Sequence, residues 1–176
     1  MTEPGPEMLR EASILGTVTG ATRRSLPLTA DEEAFWRAFL RALTVVPRAL
    51  EADLAADGLS LTDYCGLMHL SEAPGGRLRM SDLAGRCALS LSGTTRIVNR
   101  LEDEGLLRRE RCEGDRRGWD AVLTEAGSAR LRRVWPVHLT SVRRHVVSHV
   151  RDLDLPSVAS AMALFATNYP HRSVRT

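Results

Sequence analysis

Between residues 29 and 58, apolar side chains recur at three- and four-residue steps: Phe35, Ala38, Phe39, Ala42, Val45, Val46, Ala49 and Leu50. That period predicts an amphipathic helix of about seven turns. Thr29-Ala-Asp-Glu32 has the form of a capping box at its start, Pro47 predicts a kink within it, and Gly58 ends it. A second capping box, Ser60-Leu-Thr-Asp63, opens a helix to about Glu72, and Pro74-Gly-Gly76 breaks the chain. Ser81–Arg86 reads as a short helix with Leu83 and Ala84 turned inward. Ser90 caps a helix from Leu91 to about Glu104, whose buried stripe is Ile97, Val98 and Leu101, with Gly105 just past its end. The pattern then changes: Leu106–Arg111 and Trp119–Leu123 read as strands joined by Glu113-Gly-Asp-Arg-Arg-Gly118, a hairpin turn. Thr124 caps a long helix to Val150, interrupted at Pro136, and Asp154 with Pro156 starts a last helix to about Thr167. Residues 1–28, rich in Pro and Gly, read as an arm with room for a helical turn at Met8–Leu15.

Four helices, a hairpin and two more helices make a mainly α fold with a small β-hairpin wing. Two short helices joined by a brief turn and followed by a polar hairpin have the layout of a winged helix-turn-helix. The second of them fits a DNA major groove, whose width matches one α-helix. Its outward positions read as Ser92, Gly93, Thr94, Thr95, Arg96, Asn99 and Arg100. Ser92, Gly93, Thr94, Thr95 and Arg96 are the candidates for base edges, with Arg96 able to meet a guanine through two donors. Ser90, Asn99 and Arg100 are the candidates for phosphate, because hydroxyls, helix-terminal N–H groups and guanidiniums bind it. In the hairpin, Asp115 precedes Arg116 and Arg117 on a loop too narrow to bury them. A minor groove draws in arginine there, and Asp115 is placed to orient Arg117. The bland alternatives are a solvated surface helix and a charged, partnerless turn. A further alternative is a winged helix used as a protein-interaction module, without specific DNA binding.

Charge supports the DNA reading by its distribution rather than its total, which is +2. Residues 31–76 carry three arginines against eight acids, a balance of −5, and residues 77–133 carry thirteen against nine, a balance of +4. A polyanion-binding surface concentrates charge in this way. All 24 basic residues are arginine, so every cationic contact comes from a guanidinium fork. The 43% of apolar residues suffices for a real core. Phe35, Phe39, Val46, Val158, Met162 and Phe165 offer more apolar surface than one small chain can cover, which predicts a homodimer.

Met80-Ser-Asp-Leu-Ala84, the run from Leu89 to Arg109, Asp115-Arg-Arg117 and Val122-Leu-Thr-Glu-Ala-Gly127 resemble the MarR family of bacterial regulators over about residues 31–168. The resemblance implies a triangular homodimer and a pseudo-palindromic DNA site. Residues 29–58 and 124–168 would form the dimerisation region, residues 59–123 the winged helix-turn-helix, and residues 1–28 an arm outside the family pattern. It also implies a transcription repressor released by a small aromatic effector bound between the dimer helices and the winged domain. Trp36, His69 and Trp135 are the candidates for that pocket, with plain packing as the alternative. Met80 stands where a capping residue is usual, Gly93 where a larger residue is, and Cys112-Glu113 where the wing entry holds proline.

Other chemistry has little footing. Cys65, Cys87 and Cys112 are too widely spaced for a disulfide framework or a zinc knuckle, and Cys112 is the thiol expected to be exposed. His145 and His149 share a helix face without a further ligand at useful spacing. No nucleophile elbow, metalloprotease motif or phosphate-binding glycine loop is present, so the expectation is no enzyme, no metal and no cofactor. There is no secretory leader pattern and no long apolar run, which predicts a cytoplasmic protein without a membrane partner.

Overall fold

A computed structural model describes residues 27–112 and 115–167. Nearly all of the expected arm, including Met8–Leu15, lies outside the described residues. The chain divides into two units, Met1–Ala38 and Phe39–Thr176, and the boundary falls inside the first helix, α1 (Ala30–Ala55). In the first unit the predicted capping box is present. Glu32 N–H donates to Thr29 Oγ1 at 3.2 Å, and Thr29 N–H donates to Glu32 Oε2 at 2.8 Å. Phe35 and Trp36 are exposed in that unit.

The second unit continues α1 through Pro47 to Ala55. It then holds α2 (Leu61–Glu72), β1 (Arg77–Arg79), α3 (Met80–Arg86), α4 (Leu91–Asp103), β2 (Leu107–Cys112), β3 (Asp115–Leu123) and α5 (Glu125–Val142). A π-helical turn (Arg143–Val147) joins α5 to α6 (Ser148–Val150), and α7 (Leu155–Thr167) follows. Two expectations change here. The helix does not break at Pro136, since α5 runs straight across it. A short strand, β1, precedes α3, and it completes an antiparallel sheet of order β1-β3-β2. In β1 only Leu78 is buried, so three residues offered no alternation to detect.

The core is one cluster. Leu54 at the end of α1 meets Tyr64, Leu67 and Leu70 of α2, Leu83 of α3, Ile97, Val98 and Leu101 of α4, Leu107 and Ala121 of the sheet, and Leu131 and Val134 of α5. Each fully buried leucine stabilises the fold by about 1.5–3 kcal/mol. Every element that positions the winged motif therefore shares the same apolar interior. By contrast, Leu40, Leu43 and Val45 of α1 and Leu155, Met162 and Phe165 of α7 stay exposed on the single chain. Phe39 packs on Phe165, with ring centroids 5.4 Å apart.

Candidate nucleic-acid interface

Helices α3 and α4 are joined by a reversal at Ala88, which adopts a left-handed φ of 53°. Leu89 N–H donates to Ala84 O at 2.9 Å across that turn, so the tight connection leaves no orphan donor there. Met80 brings no capping side chain to α3, and its N-cap, Arg79, makes no side-chain cap bond. Helix α4 is capped as expected, with Gly93 N–H donating to Ser90 Oγ at 3.1 Å.

The apolar stripe of α4 fixes which side faces out. Ile97, Val98 and Leu101 are buried, while Ser92, Thr95, Arg96, Asn99 and Arg100 are exposed. Thr94 departs from expectation: it is 1% exposed, and its hydroxyl donates to Ser90 O at 3.0 Å. It sits three and four residues before Ile97 and Val98, so the buried stripe extends one turn further toward the helix start. Gly93 is half-buried against the cap, where an added Cβ would lie 3.2 Å from Ser90 Oγ. Neither residue therefore offers a side chain to a groove.

Two sets of contacts hold α4 in place. Arg100 donates through Nε to both carboxylate oxygens of Asp63 (3.2 and 3.1 Å), and its NH2 reaches Asp63 as well. Asp63 is buried and also completes the Ser60 capping box of α2. The guanidinium expected to serve phosphate is thus committed to α2, and the Asp63 hydrogen bond raises its pKa further. On the wing side, Arg109 of β2 donates to Glu102 (NH1 to Oε2, 2.6 Å) and to Asn99 Oδ1. Asn99 keeps its NH2 group as a donor, the right polarity for phosphate. Arg96 alone among the outward arginines of α4 has no hydrogen bond or ion pair among the described residues.

The wing differs from expectation in its turn. Asp115, Arg116 and Arg117 belong to β3, with Asp115 paired to Cys112, so only residues 113 and 114 lie between the strands. Pairing is continuous from Leu107↔Leu123 to Arg111↔Trp119 and then passes directly to Cys112↔Asp115, so Arg116, Arg117 and Gly118 have no partner in the register. A register shift between Arg111 and Cys112 bends the end of the hairpin. The side chains of Asp115, Arg116 and Arg117 lie outside the described residues. Sequence reasoning missed one wing feature: the Arg111 guanidinium lies 4.0 Å from the Trp119 ring centroid, a cation–π pair two strands wide. Alternation within β3 was the available signal for it.

The thiol expected to be exposed, Cys112, is buried and donates to Asp120 Oδ1 at 2.8 Å. Burial pushes the Cys65 thiol up and Cys87 to about 11, so both are protonated at neutral pH. His145 Nε2 meets Asp53 Oδ2 at 3.1 Å, and Ser141 donates to the same oxygen at 2.6 Å. Among the described residues, no three His, Cys, Asp or Glu side chains are grouped to hold a metal. No helix among them is long and apolar enough to cross a membrane.

The residues expected to line an effector pocket are Trp36, His69 and Trp135. Trp36 belongs to the first unit, and His69 pairs with Glu72 at 3.7 Å. Trp135 lies beside His138 (centroids 6.1 Å), which stacks on Tyr64 at 4.2 Å. Tyr64 Oη and His138 Nδ1 are both buried without a hydrogen-bond partner among the described residues. Burial raises the Tyr64 pKa to about 12 and lowers that of His138. A depressed histidine pKa means that the unfolded chain takes up the proton first. Stability is therefore full above about pH 6.5 and falls as the pH drops toward the folded-state value. Urea midpoints of the wild type should fall between pH 7.5 and pH 5.5, and His138→Phe should flatten that fall. An equal slope in both proteins would locate the titrating group elsewhere.

A family model described as MarR family matches residues 57–118. The chain is 41% identical to AbsC, a MarR family transcriptional regulator from Streptomyces coelicolor. That match covers 82% of this chain and 97% of that one, with a TM-score of 0.75. It is 34% identical to Sco3205, a MarR family transcriptional regulator from the same organism whose crystal structure is in complex with DNA. That match covers 86% and 96%, with a TM-score of 0.78. A curated relative is YfiV of Bacillus subtilis (strain 168), an uncharacterised HTH-type transcriptional regulator. It is 32% identical over 98 residues, and the chain spans only 60% of its length.

Proposed function

The chain belongs to the MarR family of transcriptional regulators, and from that premise we propose that it is a repressor that binds a pseudo-palindromic site on double-stranded DNA as a homodimer. The observation that carries this reading is the outer face of α4. The helix is locked by Asp63 behind and Arg109 beside it, and Arg96 is left exposed and, among the described residues, uncommitted. A rigid helix presenting one free guanidinium is what base readout requires, since a mobile one would lose affinity to ordering. Ser92, Thr95 and Arg96 face the bases, with Gly93 keeping the helix start slim. Ser90 and Asn99 serve phosphate. Asp115, Arg116 and Arg117 carry the wing toward the minor groove.

Dimerisation follows from the apolar residues that α1 and α7 leave exposed, which a second copy would cover. Two copies related by a two-fold axis read two half-sites about 10 base pairs apart, centre to centre. Selection from random duplex should recover such a symmetric site, and light scattering at micromolar concentration should give twice the chain mass. A pool without consensus, or a clean monomer, would contradict the reading. Release by a small aromatic ligand rests on a separate observation, the orphan polar atoms of Tyr64 and His138 beside Trp135. A guest that satisfies both would bind there between α2 and α5, and it would act on DNA affinity by favouring one arrangement of the winged motif.

A further inference from the structure

Resting on the DNA-binding reading, we propose that Leu91 is a specificity-determining residue that recognises the 5-methyl group of a thymine in each half-site. Leu91 is the first residue of α4 and is 64% exposed, more than any other large apolar side chain described. A single exposed leucine is ordinary. This one is not isolated. Leu91, Thr95 and Asn99 follow one another at four-residue steps along one face of the helix. With Met80, Arg109 and Trp119 they line an open groove of about 690 Å³ between α4 and the wing. Met80, Leu91 and Trp119 supply the apolar part of that lining, and Leu91 stands at the end of α4 that leads into DNA. The stripe of Ser92 and Arg96 runs directly alongside, so apolar and cationic donors are presented together at the helix start.

The chemistry of the major groove then narrows the partner. Base edges there offer hydrogen-bond donors, acceptors and one apolar group, the thymine methyl. An isobutyl side chain gains nothing from the polar edges, and it loses water contact favourably against that methyl. A partner protein covering the same groove would have to displace the DNA from α4.

The test removes the methyl without changing a hydrogen bond. Operator duplexes selected by the protein are prepared with deoxyuridine replacing thymidine, one symmetric pair of positions at a time, and affinities are measured for the wild type and Leu91→Ala. The wild type should lose about fourfold per half-site at one position, the effect of one buried methyl. Leu91→Ala should show no loss at that position while melting at the wild-type temperature. A wild type indifferent to every replacement, or a variant that keeps the full loss, would overturn the assignment. A wild type that binds scrambled duplex as tightly as operator would instead remove the DNA-binding reading, and this inference with it.

Discussion

Among the described glycines, Gly127 is the one whose replacement by alanine is expected to cost the most stability. Gly127 lies in the first turn of α5, where the helix meets Leu106 just before β2 and Leu123 at the end of β3. An added Cβ would fall 2.0 Å from Leu106 O and 2.7 Å from Leu123 Cδ1. The first of these is backbone and cannot rotate away. Leu106 O is also the acceptor for Thr124 N–H at 3.2 Å, and Thr124 Oγ1 both caps α5 and donates to Gly105 O at 2.7 Å. Moving Leu106 therefore disturbs the helix cap and the end of α4 together. Overpacking of this kind costs typically about 1–3 kcal/mol, and more where backbone must shift. Against a total stability of about 5–15 kcal/mol, that is a large fraction. A denaturant midpoint within error of the wild type would show that α5 docks less closely than the geometry requires.

Arg96→Ala and Arg100→Ala should fail in opposite ways. Removing Arg96 breaks no hydrogen bond or ion pair among the described residues, so the melting temperature should not change. A lost two-donor base contact costs about 1–3 kcal/mol and relaxes preference at one base pair per half-site. Arg100→Ala leaves the buried carboxylate of Asp63 without its cation. The exposures of the pair are unequal, 50% for the Arg100 side chain and 6% for Asp63, so the cost falls on the group that cannot turn to water. The expected loss is about 1.5–3 kcal/mol of stability, the range for hydrogen bonds to charged groups. Base preference of the remaining folded protein should persist. Thermal melts and affinities for single-base operator variants separate the two. Unchanged discrimination in Arg96→Ala would make Arg96 a backbone clamp.

The legible parts of this fold were those written in local pattern. Ser60 and Asp63 are three residues apart, and their reciprocal cap is present. The stripe of α4 is set by Ile97, Val98 and Leu101, and it points Arg96 outward as expected. Thr94 follows the same period, but its hydroxyl reads as a surface group, and only the bond to Ser90 O accounts for its burial. What the sequence hid is carried by distance. Arg100 and Asp63 are 37 residues apart, and nothing near either one marks the other as its partner. Arg109 reaches Asn99 only once β2 lies beside α4. The turn glycines of the wing pointed to a hairpin but not to its length. The pairing of Asp115 with Cys112 starts β3 there, and Arg116 and Arg117 fall within it at the register shift. The stacked pair of Tyr64 and His138 likewise depends on how α5 crosses α2, which no local pattern encodes.

Helix α4 is expected to read sequence rather than merely hold charge against DNA. The most direct test is the ratio of affinities for the selected operator and a scrambled duplex of equal length, followed by fluorescence polarisation across a salt series. Both affinities should fall as salt rises, because phosphate contacts release counterions in each complex. The operator should nevertheless remain about a thousandfold or more tighter at physiological salt. Two affinities that stay equal at every salt concentration would show that α4 holds charge alone.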